Sequence, residues 1–326
     1  MTVKTKNRNI PVDTLRGVAC IMLVAYHVIG NTPQNGLKLQ TGVLKDANEL
    51  LAYIRMPLFT FLSGLVYAWR PFSGDWKTFV KGKIRRLIIP MLVVGTTFAL
   101  FQAFTPGTNA RIQDWRFLHL MPVAHFWFIE SLFLIFLCII PLEHYRVLHT
   151  RTGFAIVFIC TALLFTGNAG IPWLSIAGAF YLLPFFLAGI YCTRFPLQIK
   201  NPQATGVIVI TAVLILLFIY GLQYAGPRRS PNALIIGTIS CIALHLALLK
   251  SRFLASIGNY SYTIYLFHVF FTAASRIALT RTGISNIWVL FTIGSIVGVA
   301  GPILIEYFAS DNNFFRVYVL GKSPTK

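Results

Sequence analysis

The chain has 326 residues, of which 56% are hydrophobic and only 11% charged, with a mean hydropathy of +0.70; this excludes a soluble domain of that length and describes an integral membrane protein. Its 28 basic and 9 acidic residues give a net charge of +19, but the cations fall in short clusters between long apolar runs, a pattern of membrane topology and not of nucleic-acid binding. No polar stretch exceeds roughly twenty residues, too little for a separate aqueous unit, so residues 1–326 read as one membrane domain.

A spanning helix takes about twenty mostly apolar residues. By that measure the sequence predicts an all-α bundle of about ten spans, at 12–30, 50–69, 87–105, 121–141, 153–167, 172–192, 205–224, 232–250, 253–275 and 286–307. The first follows Lys4, Lys6 and Arg8 as a secretory signal does, yet Arg16 and His27 lie within or beside its apolar run and no small-x-small pair follows, so an uncleaved span is expected. The fifth is short, and its boundary with the sixth at 167–172 is weakly marked. Prolines such as Pro57, Pro141, Pro184 and Pro302 sit in or at the ends of spans, where neighbouring helices satisfy the carbonyls they free. The five cysteines, Cys20, Cys138, Cys160, Cys192 and Cys241, fall in or at the ends of apolar stretches without a CxxC pair, so free thiols are expected and no metal site.

With both termini cytoplasmic, the expected inner segments hold eighteen Lys and Arg, from Lys4 through the Arg70–Arg86 loop to Arg316, Lys322 and Lys326. The outer segments hold nine: Lys38, Lys45, Arg55, Arg111, Arg116, Arg228, Arg229, Arg276 and Arg281. This excess of inner cations favours that orientation.

Ionisable groups at bilayer depth are costly and mark interior pathways or sites. Arg16 and His27 are eleven residues apart, about three helical turns, which puts both on one face with roughly 16 Å of rise between them. A snorkelling Arg and a packed core His would give the same pattern. Glu130 is the only acid well inside an expected span, with His27, Arg55 and His268 as candidate partners at similar depth; a structural Arg55–Glu130 ion pair is an equally plain reading. His125 lies in HFWFIESLF, where an aromatic belt explains the neighbouring rings without function. From Arg70 to Arg86 six cations face Asp75 alone. That density serves orientation, and it equally suits an anionic phosphate group, with Lys83 and Arg86 on one side of a helix end and Lys81 and Arg85 beside them.

The pieces DTLRGVACIMLVAYH, MPLFTFLSGLVYAWR, KGKIRRLIIP, HFWFIESLF and ASIGNYSYTIYLFH, in that order, resemble the acyltransferase-3 family of integral membrane O-acyltransferases over nearly the whole chain. The most specific piece is Arg-x10-His, Arg16 to His27. The family's Arg-x-x-Arg appears as Lys83-x-x-Arg86, and a Lys can hold a phosphate as a point charge without the bidentate fork. Gly258-x-x-Ser261-Tyr262, Tyr265 and His268 close the match. The resemblance implies transfer of an acyl group, usually acetyl, from cytoplasmic acyl-coenzyme A to a hydroxyl of an extracytoplasmic or lipid-linked glycan, in a multi-pass protein of a bacterial inner membrane, with His27 catalytic. Some members carry an SGNH-type domain; a stand-alone membrane domain is expected here.

The residues suit that chemistry on their own terms. Coenzyme A has an anionic end and a long neutral arm, which fit a cationic inner loop leading to a polar stripe. An imidazole can serve as general base for a hydroxyl near neutral pH once a hydrogen bond fixes its tautomer. The expected catalytic set is therefore His27, Arg16 and Glu130, with Glu130 orienting the imidazole. Lys81, Lys83, Arg85 and Arg86 are expected at the acetyl-CoA phosphates, and Arg55, His125, His268 and Tyr265 at the acceptor. A secondary transporter of an anionic or glycan-linked solute would also carry about ten spans and a few buried charges, and a scaffolding subunit of a polysaccharide machine is a third reading.

Overall fold

The computed structural model describes residues 9–106, 114–167 and 170–324. The expected inner cations Lys4, Lys6, Arg8 and Lys326 and the outer Arg111 lie outside the described residues. Twelve α-helices run in the order α1 Ile10–Ile29, α2 Val43–Ala68, α3 Trp76–Lys83, α4 Ile89–Phe104, α5 Trp127–His144, α6 Arg151–Thr166, α7 Ile176–Arg194, α8 Pro202–Ala225, α9 Pro231–Leu246, α10 Arg252–Asn259, α11 Ser261–Arg281 and α12 Ile287–Ala309, with no strand among the described residues. The protein is an all-α polytopic bundle.

Each of the ten expected spans has an apolar helix, and among the described residues eight helical stretches are long and apolar enough to cross a membrane. The other two, α6 and α9, have 16 residues each. At 1.5 Å per residue these are several ångströms shorter than a hydrocarbon core of about 30 Å. The expected ninth span at 253–275 is a second correction. The chain breaks at Tyr260, separating the short α10 from α11, and α10 lies along α1 instead of extending α11. The basic segment also has its own form. Asp75 caps α3 by accepting from the backbone N–H of Lys77 and Thr78, and hydrogen bonding from Thr78 holds its carboxyl below the usual range. A five-residue π-helical turn, Ile84–Ile88, then carries Arg85 and Arg86 into α4. Such wide turns recur at functional positions.

Two helix pairs approach closely through reciprocal glycines, the device that membrane bundles use where burial gives little drive for association. In the α1–α10 pair, a Cβ on Gly17 would fall 2.0 Å from the Leu254 carbonyl oxygen, and one on Gly258 would fall 2.0 Å from that of Asp13. In the α2–α7 pair, Gly64 meets the Phe186 carbonyl at 2.0 Å and Gly189 that of Phe61 at 2.1 Å by the same construction. These contacts fix α1 and α2, which carry His27 and Arg55. At the end of the bundle that carries the basic turn, Glu143 is buried and accepts from Arg194 Nη2 at 2.6 Å and from the Tyr67 hydroxyl at 3.2 Å. His149 Nε2 lies 3.3 Å from the same carboxylate, so α2, α5 and α7 are tied together there. Glu143 falls beyond the expected end of the fourth span because α5 continues one turn past Pro141.

Candidate active site

At the opposite end a cavity of about 840 Å³ opens among α1, α2, α4, α5, α7, α11 and the turn between α8 and α9. Its walls include Leu23, Phe98, Phe270 and Leu290, with polar groups from Tyr26, His27, Arg55, His125, Ser175 and Tyr265. His27 reaches it from the last turn of α1. His125 stands in the 3-10 turn Ala124–Phe126 that leads into α5, a turn entered through the left-handed backbone of Ala124 (φ 46°). His268 lies in α11, wholly buried. The three imidazoles form a triangle, with ring centroids 4.7 Å apart for His27–His268, 4.9 Å for His125–His268 and 5.6 Å for His27–His125.

Hydrogen bonds orient one ring of this triangle, that of His268. His268 Nδ1 lies 2.8 Å from the Ile264 carbonyl oxygen and 2.9 Å from that of Tyr265. Carbonyls only accept, so Nδ1 carries the proton and Nε2 keeps its lone pair. That Nε2 is buried without a partner, as are both ring nitrogens of His125. The Tyr265 hydroxyl donates to the His125 carbonyl and holds its turn. Next to His27, the Tyr26 ring carries the Arg55 guanidinium 3.9 Å above its centroid. Arg55 is 3% exposed, and its Nη1 donates to Asn48 Oδ1 at 3.1 Å.

Glu130 is placed differently from the expectation. It is buried on α5 and accepts from the Ser175 hydroxyl at 2.5 Å, while Ser131 Oγ donates to the Ser175 carbonyl at 2.9 Å. Neither a Glu130–His27 contact nor an Arg55–Glu130 ion pair forms among the described residues. The carboxylate clasps the turn before α7, where Leu174 and Ser175 both have left-handed backbone, φ 51° and 54°. The sequence could not reveal that this turn folds against α5.

Arg16 sits at the other end of α1, where it forms an ion pair with Asp13 at 3.1 Å. None of Arg16, Lys81, Lys83, Arg85 and Arg86 lines the cavity. Leu62, Met91, Val94 and Leu132 belong to the buried core, and their positions along α2, α4 and α5 fall between the cavity and the basic turn. Lys83 is turned inward, its Nζ 3.4 Å from the Phe136 ring centroid and 5.0 Å from that of Phe79. Arg86 and Lys81 are exposed. Arg85 Nη2 reaches Ser323 Oγ at 3.5 Å, and its Nε is buried without a partner.

Sequence reasoning missed Tyr26, Asn48 and Ser175 as neighbours of the site, and it treated Arg228, Arg229 and Arg276 only as topology markers. One pattern was present: Tyr265, Thr272 and Arg276 are separated by seven and four residues, one face of a helix. Neither the curated proteins nor the solved structures compared with this chain give a match. The family model described as an acyltransferase domain matches residues 9–307, nearly the whole of a bundle that brings three imidazoles together beside its cavity, and the chain accordingly belongs to the acyltransferase-3 family of membrane acyltransferases.

Proposed function

We propose that the protein transfers an acyl group, acetyl in the simplest case, from acyl-coenzyme A to a hydroxyl of an extracytoplasmic or lipid-linked glycan, with His27 as general base. The observation that carries this reading is the position of His27, half-buried at the cavity wall with His125 and His268 at its back. An acceptor hydroxyl in the cavity gives its proton to a ring nitrogen of His27 as its oxygen attacks the thioester carbonyl. The tetrahedral oxyanion collapses, the carbon–sulfur bond breaks, and the leaving thiolate takes the proton back from the imidazolium. His268, whose unpartnered Nε2 keeps its lone pair beside the His27 ring, is the group we assign to fixing the His27 tautomer when the site is engaged, the part first expected of Glu130. The Arg55 guanidinium, held over the Tyr26 ring on the cavity wall, is the permanent cation we assign to the developing oxyanion.

We assign the donor's phosphates to the end of α3 and the π-helical turn after it; exposed Lys81 and Arg86 and the unpartnered Nε of Arg85 support this. This end is cytoplasmic in the proposed orientation, in a bacterial inner membrane. The donor's arm must then run along α1 from the turn to His27, so transfer requires a conformation in which the apolar layer of Leu62, Met91, Val94 and Leu132 parts. The test is acyl-coenzyme A turnover by the purified chain. His27→Ala, inserted and melting as wild type does, should lose about 10²-fold or more of the rate; retention of full transfer removes His27 from the chemistry.

A further inference from the structure

The end of the cavity away from the basic turn is ringed by four arginines. Arg55 comes from α2, Arg228 and Arg229 from the turn between α8 and α9, and Arg276 from α11, and no Asp or Glu lines the same cavity. Among the described residues none of the four forms an ion pair with a carboxylate. Their partners are neutral. Arg55 has Asn48 and the Tyr26 ring, and Arg229 Nη2 donates to the Ala177 carbonyl at 2.8 Å. Donors remain unused: Arg55 Nε and Arg229 Nη1 are buried without a partner.

Arg55 is buried, Arg229 and Arg276 are half-buried and Arg228 is exposed at the mouth; a buried cation such as Arg55 without a counter-charge is costly beside apolar walls, so the group is stabilised by an anion that enters it. A single carboxylate occupies one guanidinium fork. Four forks around one space of about 840 Å³ match a group with several oxygens and more than one charge, which is a phosphoryl or diphosphate ester. The donor's own phosphates are provided for at the other end of the bundle. We infer that the acceptor carries a phosphate or diphosphate ester, which the ring of Arg55, Arg228, Arg229 and Arg276 binds so that a nearby hydroxyl faces His27.

This rests on the acyl-transfer reading above and names its acceptor class. The same phosphoryl chemistry is offered by a soluble sugar phosphate and by a lipid-anchored sugar diphosphate.

The test uses the full chain in lipid nanodiscs. Inorganic pyrophosphate is the binding probe, read as a rise in melting temperature. The rise should shrink as salt goes from about 0.05 to about 0.5 M, fall at least several-fold in Arg228→Gln/Arg229→Gln and in Arg276→Gln, and return in part in Arg228→Lys/Arg229→Lys, which keeps the charge without the fork. Loss of the rise in Lys81→Gln/Arg86→Gln instead, or no rise in wild type, overturns the inference. In transfer from acetyl-CoA, glucose 1-phosphate or farnesyl diphosphoglucose should show a KM roughly tenfold below that of methyl glucoside. The Gln pair should raise KM for the phosphate-bearing acceptors roughly tenfold more than for methyl glucoside. A preference between the two phosphate-bearing acceptors identifies the soluble or lipid-anchored source. Equal KM for charged and neutral acceptors, with His27-dependent acetyl-CoA turnover intact, overturns the inference alone. Absence of that turnover sinks the acyl-transfer reading, and the pyrophosphate measurements then still judge the arginine ring.

Discussion

At the scale of single residues, Glu130 lies away from the role its position suggested, and His268 lies where Glu130 was expected, beside His27. Glu130 is the most conspicuous acid in the apolar sequence, and its oxygen holds the Ser175 hydroxyl at 2.5 Å, which fixes the entry to α7. Glu130→Gln keeps an acceptor oxygen there and should melt close to wild type, whereas Glu130→Ala leaves the buried Ser175 hydroxyl without this partner and should cost about 1–3 kcal/mol. Thermal melts of the two variants in one detergent check this; equal destabilisation would show that Ser175 does not depend on the carboxylate. His268, a lone His in an aromatic stretch, instead backs His27. Helical spacing explains why such a residue is visible but its role is not: it gives the face of α11, and only the fold determines which helix meets that face.

At the scale of elements, close backbone approach places α1 and α2. Gly17→Val would drive a side chain into the Leu254 carbonyl, 2.0 Å from an added Cβ, and there is no flexible side chain to move aside. The α1–α10 pair should separate, lowering the melting temperature and reducing transfer together, because α1 carries His27; a Gly17→Val protein that melts and turns over as wild type would mean that the helices do not touch there. The basic turn permits a cleaner separation of binding from chemistry. Arg85→Gln/Arg86→Gln should raise KM for acetyl-CoA roughly tenfold, in line with two lost charge-assisted bonds, and flatten the salt dependence of KM. An unchanged KM would remove the turn from the donor site. Lys83 was expected as the first member of the phosphate pair; its ammonium lies over Phe136, so Arg85 and Arg86 are the informative pair to replace.

At the scale of the whole molecule, the two polar regions lie at opposite ends of one bundle, with packed Leu, Met and Val side chains between them. In the proposed orientation the cavity opens on the outer side of the membrane. Ala273 lines it, and an Ala273→Cys protein should react with a membrane-impermeant maleimide added outside intact cells and stay unlabelled when inverted vesicles are treated. Labelling from the vesicle side alone would reverse the proposed orientation. Acyl-coenzyme A in excess should change that reactivity, since the donor's arm must part the layer beneath His27.

The apolar runs, their lengths and the unequal distribution of cations determined by themselves that this is a helical membrane protein, because a bilayer admits few other arrangements of such segments. The sequence also marked His27, His125, His268 and Arg55 one at a time, since an ionisable group among apolar neighbours is legible wherever it stands. Tertiary structure alone decided that the three imidazoles meet, His27 and His125 on the cavity wall and His268 behind them, that Arg16 pairs with Asp13 and Glu130 with Ser175, and that α10 packs against α1. Those outcomes depend on the approach of helices far apart in the chain, through glycines whose partners are backbone carbonyls, and no local periodicity records which surfaces will meet.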